Sequence, residues 1–299
     1  SISGFTDKQP ELLTAALAGL RVDPNQQALD QAVDRFVRGL ENRKRELPFR
    51  QLGRTLSSLT RTGFYDEASL LDAVAEVTPT RFNAFVERVL DTSLVRIYLF
   101  GNYDEAFADD LMQTLKSALP EEREGVAEYA RERVYSPVRG ETLVKNTDLP
   151  VEDLGMMLLY AAPEATVANE AAGRVLARHL RNRAFDTLRT EEQLGYAAGG
   201  LTTTLQDHPM VGFYIQTPVK GPVAMLERFE EFAGEYALML DELTEEQFAN
   251  LKSGVLTQLT EPPTNLSDEA GPFIADWNRE QYNFSSRAEM IAAVEAVSL

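Results

Sequence analysis

An arginine and a tyrosine in the second half of the chain have the types and spacing to bind a ligand. Arg189 and Tyr196 belong to the run 185–196, which reads FDTLRTEEQLGY. Apolar periodicity predicts a helix before and through this run, and alternation predicts strands after it, so the two residues flank a helix-to-strand corner. A guanidinium and a phenol can form hydrogen bonds in a cavity here, because the sheet fixes the corner while the side chains stay outside the core.

A purely structural interpretation of this corner is also open. Arg189 could form an ion pair with Glu191 or Glu192 on a solvated helix face, and Tyr196 could be an ordinary half-buried aromatic at a strand start. Gly195 is interpreted as the residue that ends the helix. Spacing alone favours the structural interpretation over the functional one.

Other kinds of site find little support in the sequence. The chain has no cysteine and two histidines, His179 and His208, and neither histidine belongs to a paired zinc motif. We therefore expect no metal site within this chain. Gly199 and Gly200 alone do not make a phosphate loop, and no G-x-S-x-G run marks a nucleophilic serine.

Composition and charge exclude two classes of partner. The 299 residues carry a formal net charge of -18, with 44% hydrophobic and 25% charged residues. This charge would repel nucleic acid and anionic membranes. The sequence also has no apolar run long enough for a membrane span. Its first residues lack the charged and apolar regions of a secretory signal, so any signal would have to lie outside this chain. We therefore expect neither nucleic acid nor a membrane as a partner.

The hydrophobic pattern predicts two α+β domains joined by a linker. Residues 1–119 form the first domain and residues 132–299 the second. Residues 120–131 are charged and aperiodic, which is typical of a linker. Each domain is expected to pack an antiparallel-rich sheet against several helices.

Most predicted strands belong to the second domain. Alternating apolar residues predict a hairpin of 196–205 and 210–217 around a turn at 206–209. The other predicted strands are at 95–99, 133–138, 142–145 and 154–162, and residues 2–5 are interpreted as the end of a strand.

Two segments of the chain resemble each other. Residues 70–78 read LLDAVAEVT and residues 290–298 read MIAAVEAVS. The predicted elements upstream of each segment follow the same order, which indicates a repeat of whole domains. The first copy begins partway through this order of elements, and the second copy ends before the order is complete. The repeat therefore predicts a chain truncated at both ends, with the second half of one domain followed by most of another.

Four short motifs stand in order along nearly the whole chain. They are GFTDKQ at 4–9, LFGN at 99–102, RTEEQLGY at 189–196 and QYNF at 281–284. Each resembles a motif of the pitrilysin and insulin-degrading enzyme family, the large zinc metalloendopeptidases of the inverzincin class. The third resembles the R-T-x-E-Q-L-G-Y signature of that family, with no departure at Arg189 or Tyr196.

This resemblance implies a fold and an activity for a longer parent protein. Four homologous α+β domains would form two bowl-shaped halves around a closed chamber. An H-x-x-E-H motif in the N-terminal half would supply the zinc ligands and the general base that activates water for peptide hydrolysis. The present chain would match the later part of the third domain and most of the fourth, with no cofactor of its own.

The resemblance also implies roles for individual residues. Arg189 would donate hydrogen bonds to substrate carbonyls, and Tyr196 would donate one to substrate or to the developing oxyanion. Phe185 would pack beneath them or line the pocket, with packing favoured. The implied partners are peptide substrates and the N-terminal half of the same protein, and a homodimer is left open. The periplasm is favoured over the cytoplasm by the resemblance to pitrilysin.

Two other functional classes stay open. The parent could be a non-catalytic paralogue that acts as a structural or peptide-binding subunit. The chain could also be a free-standing peptide-binding module. On the favoured interpretation, the isolated chain is proteolytically inactive and free of stoichiometric zinc.

Overall fold

The computed structural model describes residues 2–19, 25–119, 132–205 and 207–299. Within these ranges the chain is mainly helical and contains one three-stranded antiparallel sheet. The predicted α+β class is confirmed. The predicted linker at 120–131 lies outside the described residues. No helix in the described ranges is both long and apolar enough to cross a membrane.

The chain divides into two compact units. The first comprises residues 1–41 and 66–131, and the second comprises residues 42–65 and 132–299. Residues 42–65, which the sequence pattern places in the first domain, therefore group with the second unit. The helices are α1 (Gln9–Gly19), α2 (Gln26–Lys44), α3 (Pro48–Thr60), α4 (Glu67–Val74), α5 (Pro79–Thr92), α6 (Glu105–Ala118), α7 (Val167–Ala184), α8 (Pro222–Asp241), α9 (Glu245–Thr260), α10 (Leu266–Asn278) and α11 (Ser286–Ala296), with a 3-10 helix at Thr6–Lys8 and a π-helix at Phe185–Glu191. The strands are β1 (Leu154–Ala161), β2 (Ala197–Leu205) and β3 (His208–Thr217).

The first unit is helical throughout its described elements. Helices α1 and α6 pack together, and the Tyr103 hydroxyl donates a hydrogen bond to Oε1 of Gln9 at 2.6 Å. Residues 95–99 are not a strand, contrary to the sequence prediction. An alternating apolar pattern does not by itself produce a strand, because a strand also needs a neighbouring strand to pair with. The described sheet belongs to the second unit, which does not include residues 95–99. Phe85 on α5, which helical spacing predicts to face inward, is 54% exposed.

The sheet of the second unit has β3 at its centre, in the order β1-β3-β2. Phe213 on β3 lies opposite Leu158 on β1 and Gly200 on β2. Helices α7 and α8 cover one face, where Phe213 packs edge-on against Phe229 and Phe232 at centroid distances of 4.8 and 5.2 Å. This aromatic cluster is the main core of the unit.

Helix α3 packs on the opposite face of the same sheet. The Phe49 ring stacks on Tyr214 of β3 with centroids 6.3 Å apart. A second, smaller core lies where α7 meets α9 and α11, and its buried residues are Ala171, Val175, Val255, Met290 and Val294. Helix α7 therefore contributes to both cores of the unit, and it ends at the candidate site.

The predicted strand at 154–162 is confirmed as β1, whereas two other predicted strands are wrong. Residues 133–138 and 142–145 form no strand, and the isolated bridge that the described ranges contain outside the sheet joins Val134 to Arg61. Both segments have strand-like composition, but one bridge does not propagate into a ladder.

The predicted hairpin is confirmed, but its turn is shorter than expected. His208 and Pro209 belong to β3, and Asp207 takes the turn with a φ of 67°. Pro209 has no N–H to donate, but it lies at the start of the strand, and its carbonyl accepts a hydrogen bond from the N–H of Ala162 at 2.7 Å. The left-handed Asp207 reverses the chain in fewer residues than the predicted turn.

Candidate functional site

Phe185 and Arg189 lie on the π-helix that directly follows α7. The wider turn is seen in the backbone hydrogen bond from the N–H of Glu192 to the carbonyl of Thr187, at 3.0 Å. Leu188 is fully buried in the core, whereas Phe185 and Arg189 are exposed. Such π-helical turns occur frequently at functional sites.

The guanidinium of Arg189 lies over the ring of Phe185. Its Cζ atom is 4.7 Å from the ring centroid, a cation–π distance. In the described part of the chain, Arg189 makes no hydrogen bond or ion pair, so the structural alternative with Glu191 or Glu192 does not form. The ring orients the guanidinium without consuming its N–H donors, which stay available to a ligand.

Glu192 forms an ion pair with Arg228 of α8 instead. The Nε and Nη2 atoms of Arg228 lie 2.9 and 2.5 Å from the two carboxylate oxygens of Glu192, a bidentate geometry. Arg228 also donates to Glu235 at 3.0 Å, and its side chain is only 11% exposed. The hydrogen bonds with Glu192 raise the pKa of Arg228 above its usual range. This pair ties the end of the π-helix to α8.

Glu192→Ala is expected to lower the free energy of unfolding by about 1–2 kcal/mol, because it leaves a mostly buried guanidinium without its bidentate partner. Glu235 and Glu231 limit the loss, since they stay 3.0 and 3.7 Å from Arg228. Urea unfolding followed by circular dichroism measures the change. Glu191→Ala is the matched control, since Glu191 is exposed, and it should stay within about 0.5 kcal/mol of wild type. Equal losses of unfolding free energy in Glu192→Ala and Glu191→Ala would show that the ion pair between Glu192 and Arg228 does not stabilise the chain.

The corner between the π-helix and β2 depends on two residues with unusual backbone requirements. Gln193 has a φ of 54°, in the left-handed region. Gly195 lies against the central strand, where a Cβ atom would be 2.0 Å from the backbone oxygen of Gln216. The prediction that Gly195 ends the helix is wrong, because the helix already ends at Glu191. Glycine is required here by the close approach to β3.

Tyr196 is held by hydrogen bonds to residues from distant parts of the sequence. Its side chain is 46% exposed, and its hydroxyl donates to Oδ2 of Asp153 at 3.0 Å. The side-chain amide of fully buried Gln216 donates both to that Oδ2, at 2.8 Å, and to the Tyr196 hydroxyl. The Oε1 atom of Gln216 accepts from the N–H of Phe49 at 3.3 Å. We call Asp153, Tyr196 and Gln216 the tyrosine triad.

The environment of Tyr196 raises the pKa of its phenol. Desolvation against the sheet is the largest cause, followed by the hydrogen bond to Asp153 and the charge of that carboxylate. The N–H of Gln216 acts in the opposite direction. Tyr196 therefore stays protonated at neutral pH and serves as a hydrogen-bonding group rather than as a base.

The site thus contains two groups, one on each side of the corner. Phe185 contacts Arg189, and Tyr196 contacts Asp153 and Gln216. Sequence analysis missed Asp153 and Gln216, because β pairing rather than spacing brings them to Tyr196. One signal was available, since Gln216 is a polar residue in a strand of otherwise apolar alternation.

Two family models match the chain. The model described as the middle or third domain of peptidase M16 matches residues 1–73. The model described as PQQ synthase PqqF-like, C-terminal lobe domain 4, matches residues 175–274, which include Phe185, Arg189 and Tyr196.

Known proteins match over nearly the whole chain. Protease 3 of Salmonella typhi is 21% identical over 312 residues, which cover 99% of this chain and 31% of the relative. Insulin-degrading enzyme of Homo sapiens is 23% identical over 304 residues, which cover 100% of this chain and 30% of the relative. The chain is therefore similar in sequence to the C-terminal part of M16 peptidases.

Solved structures agree with this assignment to the M16 fold. The crystal structure of pitrilysin aligns with a TM-score of 0.86 at 20% identity, covering 99% of this chain and 31% of that one. A peptidase M16 inactive domain from Pseudomonas fluorescens aligns with a TM-score of 0.66 at 15% identity, covering 98% of this chain and 69% of that one. The predicted resemblance is confirmed, and the chain corresponds to the C-terminal half of a pitrilysin-like protein. It spans about 31% of the length of the pitrilysin-like relatives.

The two histidines, both among the described residues, do not provide a zinc site. Among the described residues, no three His, Asp or Glu side chains come close enough together to hold a metal ion. The Nδ1 atom of His179 lies 2.9 Å from the Tyr236 hydroxyl, and desolvation, followed by the charge of Arg183, lowers the pKa of the imidazole. His208 begins β3, and its Nδ1 atom is buried without a hydrogen bond in the described structure. The described residues therefore do not fit a zinc centre.

Proposed function

We propose that this chain forms part of the wall of a peptide-binding chamber in a zinc-dependent endopeptidase, with the zinc held by the N-terminal half of the protein. The main support is Arg189, a guanidinium that is exposed, oriented by Phe185 and without a hydrogen bond in the described structure. Similarity to M16 proteins that are named as a protease and an insulin-degrading enzyme supports the substrate class. The tyrosine triad places a second hydrogen-bonding group on the other side of the corner.

The roles of the site residues follow from their hydrogen-bonding capacity. Arg189 donates charge-assisted hydrogen bonds to backbone carbonyls of a bound peptide. Phe185 restricts the guanidinium, so less side-chain entropy is lost on binding. Tyr196 forms a hydrogen bond with the same peptide. The N-terminal half of the protein would hold the zinc, which would activate water for hydrolysis of the peptide bond.

In the full-length protein, Arg189→Ala is expected to reduce kcat/KM for peptide hydrolysis by at least about tenfold, because a hydrogen bond to a charged group contributes about 1.5–3 kcal/mol. Tyr196→Phe is expected to cause a smaller loss. Arg181→Ala, which removes another exposed arginine from the end of α7, is the matched control and should hydrolyse the peptide like wild type. Unchanged hydrolysis in both Arg189→Ala and Tyr196→Phe would remove the proposed role.

The same full-length protein decides between the functional classes. Stoichiometric zinc and peptide hydrolysis support the endopeptidase. Peptide binding without zinc or cleavage would support a non-catalytic subunit, and peptide binding by the isolated chain would support a free-standing module. The periplasm, favoured over the cytoplasm by the family resemblance alone, is part of the proposal, and a homodimer is left open.

A further inference from the structure

We propose that the ion pair between Glu192 and Arg228 positions the guanidinium of Arg189 for a bound peptide, which makes both members of the pair positioning residues. The pair acts through the backbone of the π-helix on which Arg189 lies, so neither member needs to touch the peptide. This inference rests on the proposed function for its ligand, but the contacts that carry it lie within the second unit.

The backbone that carries Arg189 is fixed on both sides. Leu188, directly before it, is fully buried in the main core. After it, the N–H of Glu192 donates to the carbonyl of Thr187 at 3.0 Å, and the N–H of Leu194 donates to the carbonyl of Leu188 at 2.9 Å. Because π-helical turns are rare, contacts from outside the helix are needed to hold this one.

Arg228 supplies such a contact from a rigid part of the core. It lies on α8 between Met225 and Phe229, which are both fully buried, so the backbone that carries it is fixed by packing. Its Nε and Nη2 atoms both bind the carboxylate of Glu192, and a bidentate guanidinium sets the direction of the bound group as well as its distance. The end of the π-helix is therefore held in one orientation relative to α8.

The contact between Arg189 and Phe185 is too weak to position the guanidinium alone. In the described part of the chain the side chain of Arg189 has this cation–π contact and no hydrogen bond, and both residues are exposed. An exposed cation–π contact is worth less than the rotamer entropy of an arginine side chain. The position of the guanidinium therefore depends on the backbone, which sets the spacing between the two residues along the helix.

The first test reads this spacing in the chain itself, without a substrate. With 4-fluorophenylalanine at position 185, a single 19F signal reports whether a cation lies over the ring. Arg189→Ala defines the signal of the uncovered ring. Glu192→Gln keeps the size of the side chain but removes the ionic partner of Arg228, and it should move the signal toward the Arg189→Ala position. A signal that stays at the wild-type position would overturn the positioning role.

Glu231→Gln is the matched control for this measurement. Glu231 also lies beside Arg228, with its Oε2 atom 3.7 Å from Nη1, but it belongs to α8 and is 69% exposed. The 19F signal should therefore stay at the wild-type position. An equal shift in Glu231→Gln and Glu192→Gln would mean that any charge near Arg228 changes the signal, and it would contradict positioning through the π-helix.

Arg228→Lys tests the same pair from the other side. Lysine keeps the charge but lacks the fork that binds both carboxylate oxygens of Glu192. The 19F signal should move in the same direction as in Glu192→Gln. Circular dichroism establishes that each variant is folded before the signals are compared. A wild-type signal in Arg228→Lys would show that charge alone, without bidentate geometry, is sufficient, and the positioning role would fail.

The second test asks whether Glu192 acts on the peptide through Arg189. In the full-length protein, Glu192→Gln is expected to lower kcat/KM for peptide hydrolysis by about three- to tenfold. The loss should fall in the same kinetic parameter, KM or kcat, as the loss in Arg189→Ala. In the Arg189→Ala background, Glu192→Gln should change kcat/KM by less than about twofold, because the group that it positions is already absent.

Equal losses in the two backgrounds would overturn the inference, since Glu192 would then act independently of Arg189. Unchanged hydrolysis in Glu192→Gln alone would overturn it as well. Absence of peptide hydrolysis by the unsubstituted full-length protein would count against the proposed function instead, while the 19F comparison still decides whether the ion pair positions Arg189.

Discussion

Gly195→Ala is expected to destabilise the second unit by about 3 kcal/mol or more, the largest effect of any single methyl group in the candidate site. The added Cβ would be 2.0 Å from the backbone oxygen of Gln216 and 3.2 Å from Cγ1 of Ile215. Neither neighbour can move freely, because Ile215 is fully buried and Gln216 is paired to strands on both sides. Relief of the clash therefore requires strand β3 or the corner itself to shift, which costs more than ordinary overpacking.

The control for this substitution is Gly234→Ala. Gly234 lies inside α8, and an added Cβ would meet nothing within 4 Å. Alanine there should raise the free energy of unfolding by about 0.5–1 kcal/mol, because glycine is a poor helix former. Urea unfolding of both variants gives the two changes with opposite signs. A Gly195→Ala chain as stable as wild type would show that the corner tolerates a side chain, and the close-approach explanation would fail.

The corner illustrates what local sequence patterns can predict. Periodicity correctly places α7 and the two strands of the hairpin, because each element buries a continuous apolar face. The same reasoning interprets Gly195 as a helix terminator, which is its usual local role. Its actual role depends on strand β3, which follows later in the sequence. From the sequence pattern alone, a glycine required by a tertiary contact cannot be distinguished from a glycine required by its local backbone conformation.

The incorrect strands have a related cause. Residues 133–138 and 142–145 have suitable composition, but strand formation also needs a neighbour with free backbone groups. Periodicity describes one segment at a time and contains no information about such a neighbour. The prediction of β1 is correct because its apolar run pairs with β3 along its whole length.

Polar partners are the part of the site least accessible from sequence. Glu191 and Glu192 are equivalent by spacing, yet the position of Arg228 on α8 selects Glu192. Asp153 and Gln216 reach Tyr196 through antiparallel pairing, which aligns residues far apart in the chain. The candidate residues themselves come from a family signature, whereas the hydrogen bonds that direct them come from the fold.

Phe213→Ala is expected to lower the free energy of unfolding by about 3–5 kcal/mol, an effect comparable to that of Gly195→Ala. Phe213 is 2% exposed on the central strand and packs edge-on against Phe229 and Phe232 of α8. Removal of the Phe213 ring leaves a cavity at the centre of the main core. The helix and the sheet around the cavity cannot move close enough to fill it. Val223→Ala at the start of α8 is the control, since Val223 is 73% exposed, and should change the value by less than about 0.5 kcal/mol.

This substitution also tests whether the sheet positions the tyrosine triad. Phe213 and Gln216 belong to the same strand, so a loosened β3 should disturb the hydrogen bonds of Gln216 to Tyr196 and Asp153. With 3,5-difluorotyrosine incorporated at position 196, the phenol can be titrated by 19F NMR. At a temperature where the Phe213→Ala chain is still folded, the titration midpoint should shift toward that of the free amino acid, because desolvation is the largest cause of the raised pKa of Tyr196. A large loss of stability with an unchanged midpoint would mean that the end of the sheet holds the phenol independently of the aromatic core.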